Sequence, residues 1–322
     1  MELKFGLSSV LTTWGRPDIV VLVSPALFAV AIAELKARLS PQRPRVIVWV
    51  QDIYSLGVTE TGTLGGVGAR VMQHVEALIL RKADKVIAIH DRFKRQMVAS
   101  LGVPELKVEI VRNWTHIRAT EVNRSHYRAK FGWGEETVVL HAGNMGAKQA
   151  LENVVAAARL ADGDAANIRF VLIGNGNQRD RLVQLGADVH RLDFLDSLDD
   201  IDFQGAMAAA DILLVNEKRG VAEMAVPSKL TSYFAARRPV IVATDSGSIT
   251  AQEIELAQAG LRVDADSPRA LLAAALALGA DKERSEIFGA NGADFQLRVL
   301  SRDAAISHYA EIITSLAGTR GL

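Results

Sequence analysis

The chain contains no cysteine. Disulfides, thiolate-held zinc, iron–sulfur clusters and thiol nucleophiles are all excluded by that one absence. An excess of charge is missing too: 37 Lys plus Arg stand against 37 Asp plus Glu. A general nucleic-acid binder carries a basic excess or stripe, so nucleic acid is not expected as a partner. The apolar run Ile19–Ala33 covers only 15 residues, and Pro25 interrupts it. A membrane span needs about 20. Residues 1–18 carry Glu2, Lys4, Arg16 and Asp18 and do not read as a secretory signal. The seven histidines form no H-x-x-x-H pair, and there is neither a G-x-S-x-G nor a Walker A motif.

What is present is alternation. Strand-length apolar runs occur at Ile19–Val23, Val46–Val50, Lys85–Ile89 and Val108–Val111. Six more follow: Val138–His141, Ile168–Ile173, Val189–Leu192, Ile212–Val215, Val240–Ala243 and Leu261–Val263. Most are rich in Val and Ile without polar alternation, as in parallel strands covered on both faces. Helix-period segments lie between them, among them Ala69–Lys82, His126–Phe131, Gln149–Ala161 and Pro268–Leu278. Ser267 and Pro268 read as an N-cap and first helical residue. Repeated strand–helix units mean an α/β fold with mainly parallel sheets. The polar stretch Asn113–Ser125 is the boundary, giving domains of residues 1–120 and 121–322. Such sheets bind ligands outside the carboxyl ends of their strands, at the switch point.

Three segments stand at such ends. His141-Ala142-Gly143-Asn144-Met145-Gly146-Ala147-Lys148-Gln149 joins a strand to a helix. Its glycines permit close backbone approach, a helix N-terminus favours anions, and Lys148 adds a mobile charge. The segment reads equally as a phosphate site or as a glycine turn beside a solvated lysine. Gly174-Asn175-Gly176-Asn177 follows the next strand and lacks the third glycine of a dinucleotide fingerprint. Taken alone it is a tight strand-to-helix turn. Val226-Pro227-Ser228-Lys229-Leu230 opens another helix, with Leu230, Tyr233 and Phe234 inward. It is either a plain cap or a source of N–H groups for a sugar or phosphate. Asp162-Gly163-Asp164 and Asp264-Ala265-Asp266 have the D-x-D form of metal-holding pairs but fall in polar turns. His90-Asp91 reads as a helix start, and Gly62–Gly68 as a mobile acceptor loop or an irregular connection.

Together these segments resemble family 4 glycosyltransferases of the GT-B fold, in the exopolysaccharide and O-antigen branch. The matching motifs are Val50-Gln51-Asp52-Ile53-Tyr54, Val111-Arg112-Asn113-Trp114, and Gly143-Asn144-Met145-Gly146 with Lys148-Gln149. Gly174-x-Gly176 and Pro227-Ser228-Lys229-Leu230, running into Pro239-Val240, complete the series. The resemblance implies two Rossmann-like domains, the first lacking its initial βα units, with the last helix reaching back to the first domain. It implies a retaining transfer from a nucleotide-diphosphate sugar to a glycan or lipid-linked acceptor, with neither cofactor nor metal. It places the enzyme in the cytoplasm, with peripheral contact on the inner membrane face, and self-association through the exposed first-domain edge.

Residue by residue, the resemblance puts Lys148 and Asn144 on the donor diphosphate and Asp52 toward the acceptor or donor sugar. Gly143, Met145, Gly146 and Gln149 belong to the same donor loop. Gly174, Gly176 and Asn177 border the base. Pro227, Ser228 and Lys229 present a helix N-terminus to sugar and phosphate. The family often has two glutamates whose positions here are Met224 and Ser232. Glu223 stands in for the first, and Ser232 keeps a hydroxyl for a ribose. Arg237 replaces the usual glycine before Pro239, which costs stability if φ is positive there. These departures leave a second reading open: a non-catalytic or truncated homologue serving as a partner subunit.

Overall fold

The computed structural model describes residues 2–24, 26–53, 55, 66–114, 122–220 and 228–318. The chain divides into two compact units. Met1–Asn113 and Arg302–Leu322 form the first, Trp114–Ser301 the second.

Among the described residues of the first unit, four parallel strands lie in chain order: β1 (Ile19–Ser24), β2 (Arg45–Val50), β3 (Lys85–Ala88) and β4 (Val108–Ile110). β2 and β3 are buried through Val46, Ile47, Val48, Val50, Val86 and Ile87. The helices Leu27–Leu39, Gly66–Lys82 and Asp91–Leu101 connect them. His90 caps the last of these, its Nδ1 accepting from the Arg92 N–H at 3.0 Å. Among the described residues β1 is an outer strand of this sheet, with Val21 and Val23 44% and 46% exposed. The helix Arg302–Gly318 belongs to this unit, and Tyr309 meets Trp49 edge-on, ring centroids 5.6 Å apart.

The described residues of the second unit hold six parallel strands: β5 (Thr137–Ala142), β6 (Ile168–Ile173), β7 (Leu192–Leu195), β8 (Ile212–Asn216), β9 (Val240–Ala243) and β10 (Gly260–Val263). Their order is β10-β9-β8-β5-β6-β7. The chain therefore runs outward from β5 on one side, then returns to lay β8 on the other. That reversal makes the carboxyl ends of β5 and β8 a switch point. Alternate residues of each strand enter different cores. Val138, Leu140 and Val171 pack on one face, Val139, Phe170 and Leu172 on the other. Apolar residues in succession are what a sheet covered on both faces needs.

All ten strands expected from the sequence are found, but the seventh lies three residues later than expected. Leu192–Leu195 replaces Val189–Leu192 because Val189 is still in a turn, its N–H donating to the Gly186 carbonyl at 3.0 Å. Asp193 is tolerated in this outer strand because Arg169 of β6 pairs with it at 2.8 Å. The segment expected as one helix from Gln149 is split into a 3₁₀ turn, Ala147–Gln149, and a helix, Glu152–Gly163. Ser267 precedes the helix Pro268–Ala280 but makes no side-chain capping bond. Of the glycine-rich segment Gly62–Gly68, the last three residues open the helix Gly66–Lys82, and 62–65 lie outside the described residues.

Arg237 takes φ +56° in the turn before β9. A non-glycine residue in the left-handed region costs roughly 1–2 kcal/mol, while glycine adds unfolded-state entropy of about 0.4–1 kcal/mol. Arg237→Gly should therefore stabilise the second unit by about 0.5–1 kcal/mol. Urea unfolding followed by fluorescence and circular dichroism checks this. A fall in stability would show that the Arg237 side chain contributes more than its backbone loses.

Candidate functional site

Two turns meet at the switch point. After β5 the Gly143 N–H donates to the Ile173 carbonyl at 2.8 Å, and Met145 N–H to the Asn175 carbonyl at 2.8 Å. In return the Gln178 N–H donates to the Met145 carbonyl at 3.0 Å. Gly174 and Gly176 have φ +129° and +154°. A Cβ on Gly174 would lie 2.2 Å from the Gly143 carbonyl oxygen, and one on Gly176 would lie 2.5 Å from that of Met145. Both glycines thus make room for the neighbouring backbone. Gly143, at φ +128°, makes room for a lysine: its Cβ would stand 2.9 Å from Lys229 Cε.

The Lys148 turn is held from below. Gln149 closes it, its Oε1 accepting from the Gly146 N–H at 3.1 Å. The Lys148 carbonyl accepts from the Lys218 N–H at 2.8 Å. Buried Asn216, the last residue of β8, donates through Nδ2 to the carbonyls of Gln149 (2.8 Å) and Ala150 (3.0 Å). Its Oδ1 accepts from Asn153 Nδ2 at 2.8 Å. Ala150 is left-handed at φ +42°, a strained conformation that these bonds hold in place. The Lys148 side chain itself is exposed. A cavity of about 480 Å³ lies beside the turn, lined by Ala147, Ala150, Asn153, Gln178 and Lys218 among others.

A second cation stands over the first turn. Lys229, in the opening turn of the helix Ser228–Ala235, has its Nζ 2.9 Å from Nε2 of His141. His141 is fully buried at the end of β5, with Nδ1 3.1 Å from the Leu214 carbonyl. A carbonyl only accepts, so Nδ1 carries the proton and Nε2 offers a lone pair to Lys229. Burial, then the Lys229 charge, holds the imidazole well below its usual range, against the pull of the Leu214 and Asn144 carbonyls. Burial likewise brings Lys229 down to about 8, opposed by the negative charge of Glu217. Glu217 follows β8 directly. Its two carboxylate oxygens accept from the Thr244 and Thr250 hydroxyls at 2.7 and 2.6 Å. A carboxylate has about four lone-pair positions, so capacity remains after these two bonds.

The structure thus gathers Gly143, Asn144, Gly146, Lys148, Gln149, Gly174, Gly176, Asn177 and Lys229 around one edge of the second sheet. Met145 contributes backbone only, since its side chain is fully buried in the core. Ser232 is half-buried on the helix that begins at Ser228. Asp52 lies in the first unit, after β2, where its carbonyl accepts from Ser24 Oγ at 2.9 Å. Glu223, Met224 and Pro227, and the side chain of Ser228, lie outside the described residues. Sequence reading missed His141, Asn216, Asn153 and Glu217. The signal for Asn216 and Glu217 was their place at a strand's carboxyl end, next to the switch point. The two D-x-D pairs are engaged elsewhere: Asp162 accepts from the His190 N–H at 2.6 Å, and Asp264 pairs with Arg262 at 2.8 Å. Among the described residues no three His, Asp or Glu side chains gather as a metal would require.

The chain matches two family models in succession: a glycosyl transferase 4-like domain over residues 3–114 and glycosyl transferases group 1 over residues 136–281. The putative colanic acid biosynthesis glycosyl transferase WcaI of Escherichia coli is 28% identical over 247 residues, covering 72% of this chain and 58% of the relative. The probable glycosyltransferase WbjE of Pseudomonas aeruginosa is 25% identical over 278 residues, covering 83% of this chain and 68% of the relative. The chain thus spans less than two thirds of the Escherichia coli protein's length. Among solved structures, Anabaena HepE in complex with UDP matches with a TM-score of 0.77 at 14% identity, covering 98% of this chain and 82% of HepE. The chain belongs to the family 4-like glycosyltransferases, and its two parallel-sheet units are those of the GT-B fold. The whole edge from His141 to Lys229 falls within the group 1 match.

Because the two turns interlock through backbone, a single methyl group should part them. Gly174→Ala is expected to cost at least about 2 kcal/mol, from positive φ and the carbonyl contact together. Gly163→Ala, where a Cβ meets nothing within 4 Å, is the matched control and should be neutral or stabilising. Urea denaturation of both variants reads the difference. Equal stability would mean that the turns separate at no cost.

Proposed function

We propose that the chain is a retaining glycosyltransferase. It moves a sugar from a nucleotide-diphosphate donor to a polysaccharide or lipid-linked acceptor in cell-surface glycan synthesis. The observation that carries this reading is the pair of lysines, Lys148 and Lys229, set at the glycine turns on the switch-point edge of the group 1 unit. The name of the WcaI relative supports a surface polysaccharide as the product. That HepE, similar in fold, forms complexes with UDP and UDP-glucose supports a nucleoside diphosphate as the ligand.

In the transfer, the bond between the anomeric carbon and the diphosphate oxygen breaks. A new bond forms to the acceptor oxygen on the same face, and the acceptor's proton leaves with the diphosphate. Negative charge therefore grows on the phosphate oxygens. Lys148 and Lys229 meet it, and their attraction is greater in the transition state than in the ground state. Asn144 adds hydrogen bonds, and Gly176 and Asn177 border the base. Glu217 supplies a carboxylate on the second unit, where Met224 and Ser232 depart from the family's glutamates. Asp52 serves the acceptor or the donor sugar from the first unit. The two lysines supply the countercharge that a divalent metal would otherwise give. The reaction takes place on the cytoplasmic face of the membrane, with peripheral contact; no described helix is long and apolar enough to cross it.

Calorimetric titration with UDP and GDP, and transfer assays with sugar nucleotides, test the reading. Lys148→Ala should weaken nucleotide binding and lower turnover by roughly 10²-fold, the usual scale for a lost electrostatic stabiliser. Activity should survive EDTA. Abolition by EDTA with rescue by Mn²⁺ or Mg²⁺ would overturn the metal-independent mechanism. Nucleotide binding without any transfer would favour the partner-subunit reading. The outer strand β1 is expected to support self-association. Val23→Lys should shift the light-scattering mass toward the monomer, and an unchanged mass would exclude that edge as the contact.

A further inference from the structure

We infer that His141 is a positioning residue: fixed in one tautomer by the Leu214 carbonyl, it accepts a hydrogen bond from Lys229 and holds that ammonium over Gly143 for the donor diphosphate. The inference rests on the reading of this edge as a nucleoside-diphosphate site, and it adds a residue that touches no donor atom.

The geometry leaves His141 one role. Its ring is wholly buried, so it does not reach a ligand. Nδ1 is committed to the Leu214 carbonyl at 3.1 Å, which leaves Nε2 as an acceptor 2.9 Å from Lys229 Nζ. Lys229 would otherwise be a flexible four-carbon chain able to reach water; the imidazole draws it across the bare face of Gly143 instead. The position of Gly143 matches this, for a Cβ there would stand 3.3 Å from Lys229 Nζ and 2.9 Å from Cε. The titratable groups facing Lys229 among the described residues are His141 from β5 and Glu217 at the end of β8. Glu217 is itself held by Thr244 and Thr250.

A consequence in pH follows. Lys229 titrates at about 8 because it is desolvated. Below that it is an ammonium, above it an amine. A bound diphosphate keeps it charged, so binding above pH 8 takes up a proton. Affinity for a nucleoside diphosphate should then fall about tenfold between pH 7 and pH 9. His141 stays neutral over this whole range, so it lends Lys229 a lone pair without adding a competing charge.

The test uses the full chain with UDP and GDP as probes, in wild type, His141→Leu, His141→Gln and Lys229→Met. Competitive acetylation with peptide mass spectrometry reads the Lys229 titration without any ligand, and calorimetry reads affinity from pH 6.5 to 9.5. Leu removes the acceptor and should move the Lys229 titration, and with it the fall in affinity, at least about one pH unit lower. Gln offers Oε1 near the place of Nε2 and should restore the wild-type profile. Met removes the charge and should flatten the profile between pH 7 and 9, which keeps the test decisive if His141→Leu does not fold. Lys229 titrating alike in wild type and folded His141→Leu would overturn the inference. So would a tenfold fall that persists in Lys229→Met. If wild type binds neither nucleotide, the donor-site reading fails, separately from any coupling seen by acetylation.

Discussion

The second unit's ligand edge depends on one close approach of backbone to backbone. The turns after β5 and β6 exchange N–H and carbonyl groups, and glycines 174 and 176 are the condition for it. Other bonds brace the turns too, the Gly174 N–H donating to the Leu195 carbonyl and the Lys218 N–H to that of Lys148. Each turn satisfies the other, which is how irregular backbone escapes the cost of unpaired polar groups. Once the turns are locked, Met145 can drop into the core, Gln149 can close on Gly146, and Lys148 is carried on a fixed base. The charge at the edge is mobile only in its side chain.

Beneath that edge the polar groups are paired in a chain that leads inward. Asn153 holds Asn216, Asn216 holds the carbonyls behind Lys148, and Thr244 and Thr250 hold Glu217. His141 holds Lys229. Buried polar groups of this kind are costly unless satisfied; Asn153 Oδ1 is left without a partner among the described residues, while the paired groups rigidify what they touch. Here they touch the two lysines and the carboxylate from underneath. The helix Ser228–Ala235 is anchored in the same way, because the Tyr233 hydroxyl accepts from the Ala142 N–H at 2.9 Å. Binding groups and their supports are thus separate residues, with the supports coming largely from strand ends.

This separation explains what the sequence disclosed. Runs such as Ile168–Ile173 and Val240–Ala243 are legible because a strand buried on both faces must be apolar throughout. β7 was misplaced because an outer strand tolerates Asp193 once Arg169 of its neighbour pairs with it. The glycine turns were legible from residue type, since few other residues reach φ near +130°. The supports were not. His141 reads as the tail of an apolar strand, and its partner stands 88 residues further on. Asn216 and Glu217 sit at a strand end whose significance emerges only when β8 is seen to lie against β5. Met145 fits the family motif yet faces the core, which residue order alone does not separate from facing a ligand.

The helix Arg302–Gly318 follows the second unit in the chain yet belongs to the first. Tyr309 against Trp49 bridges most of the chain's length. On a ribosome, chains emerge at about 5–20 residues per second and domains fold as units, so the second unit is complete while the first still waits for its closing helix. The first sheet must remain soluble through that interval with Trp49 uncovered. Loss of this helix would therefore injure the unit that precedes it by a whole domain in sequence and spare the unit it adjoins.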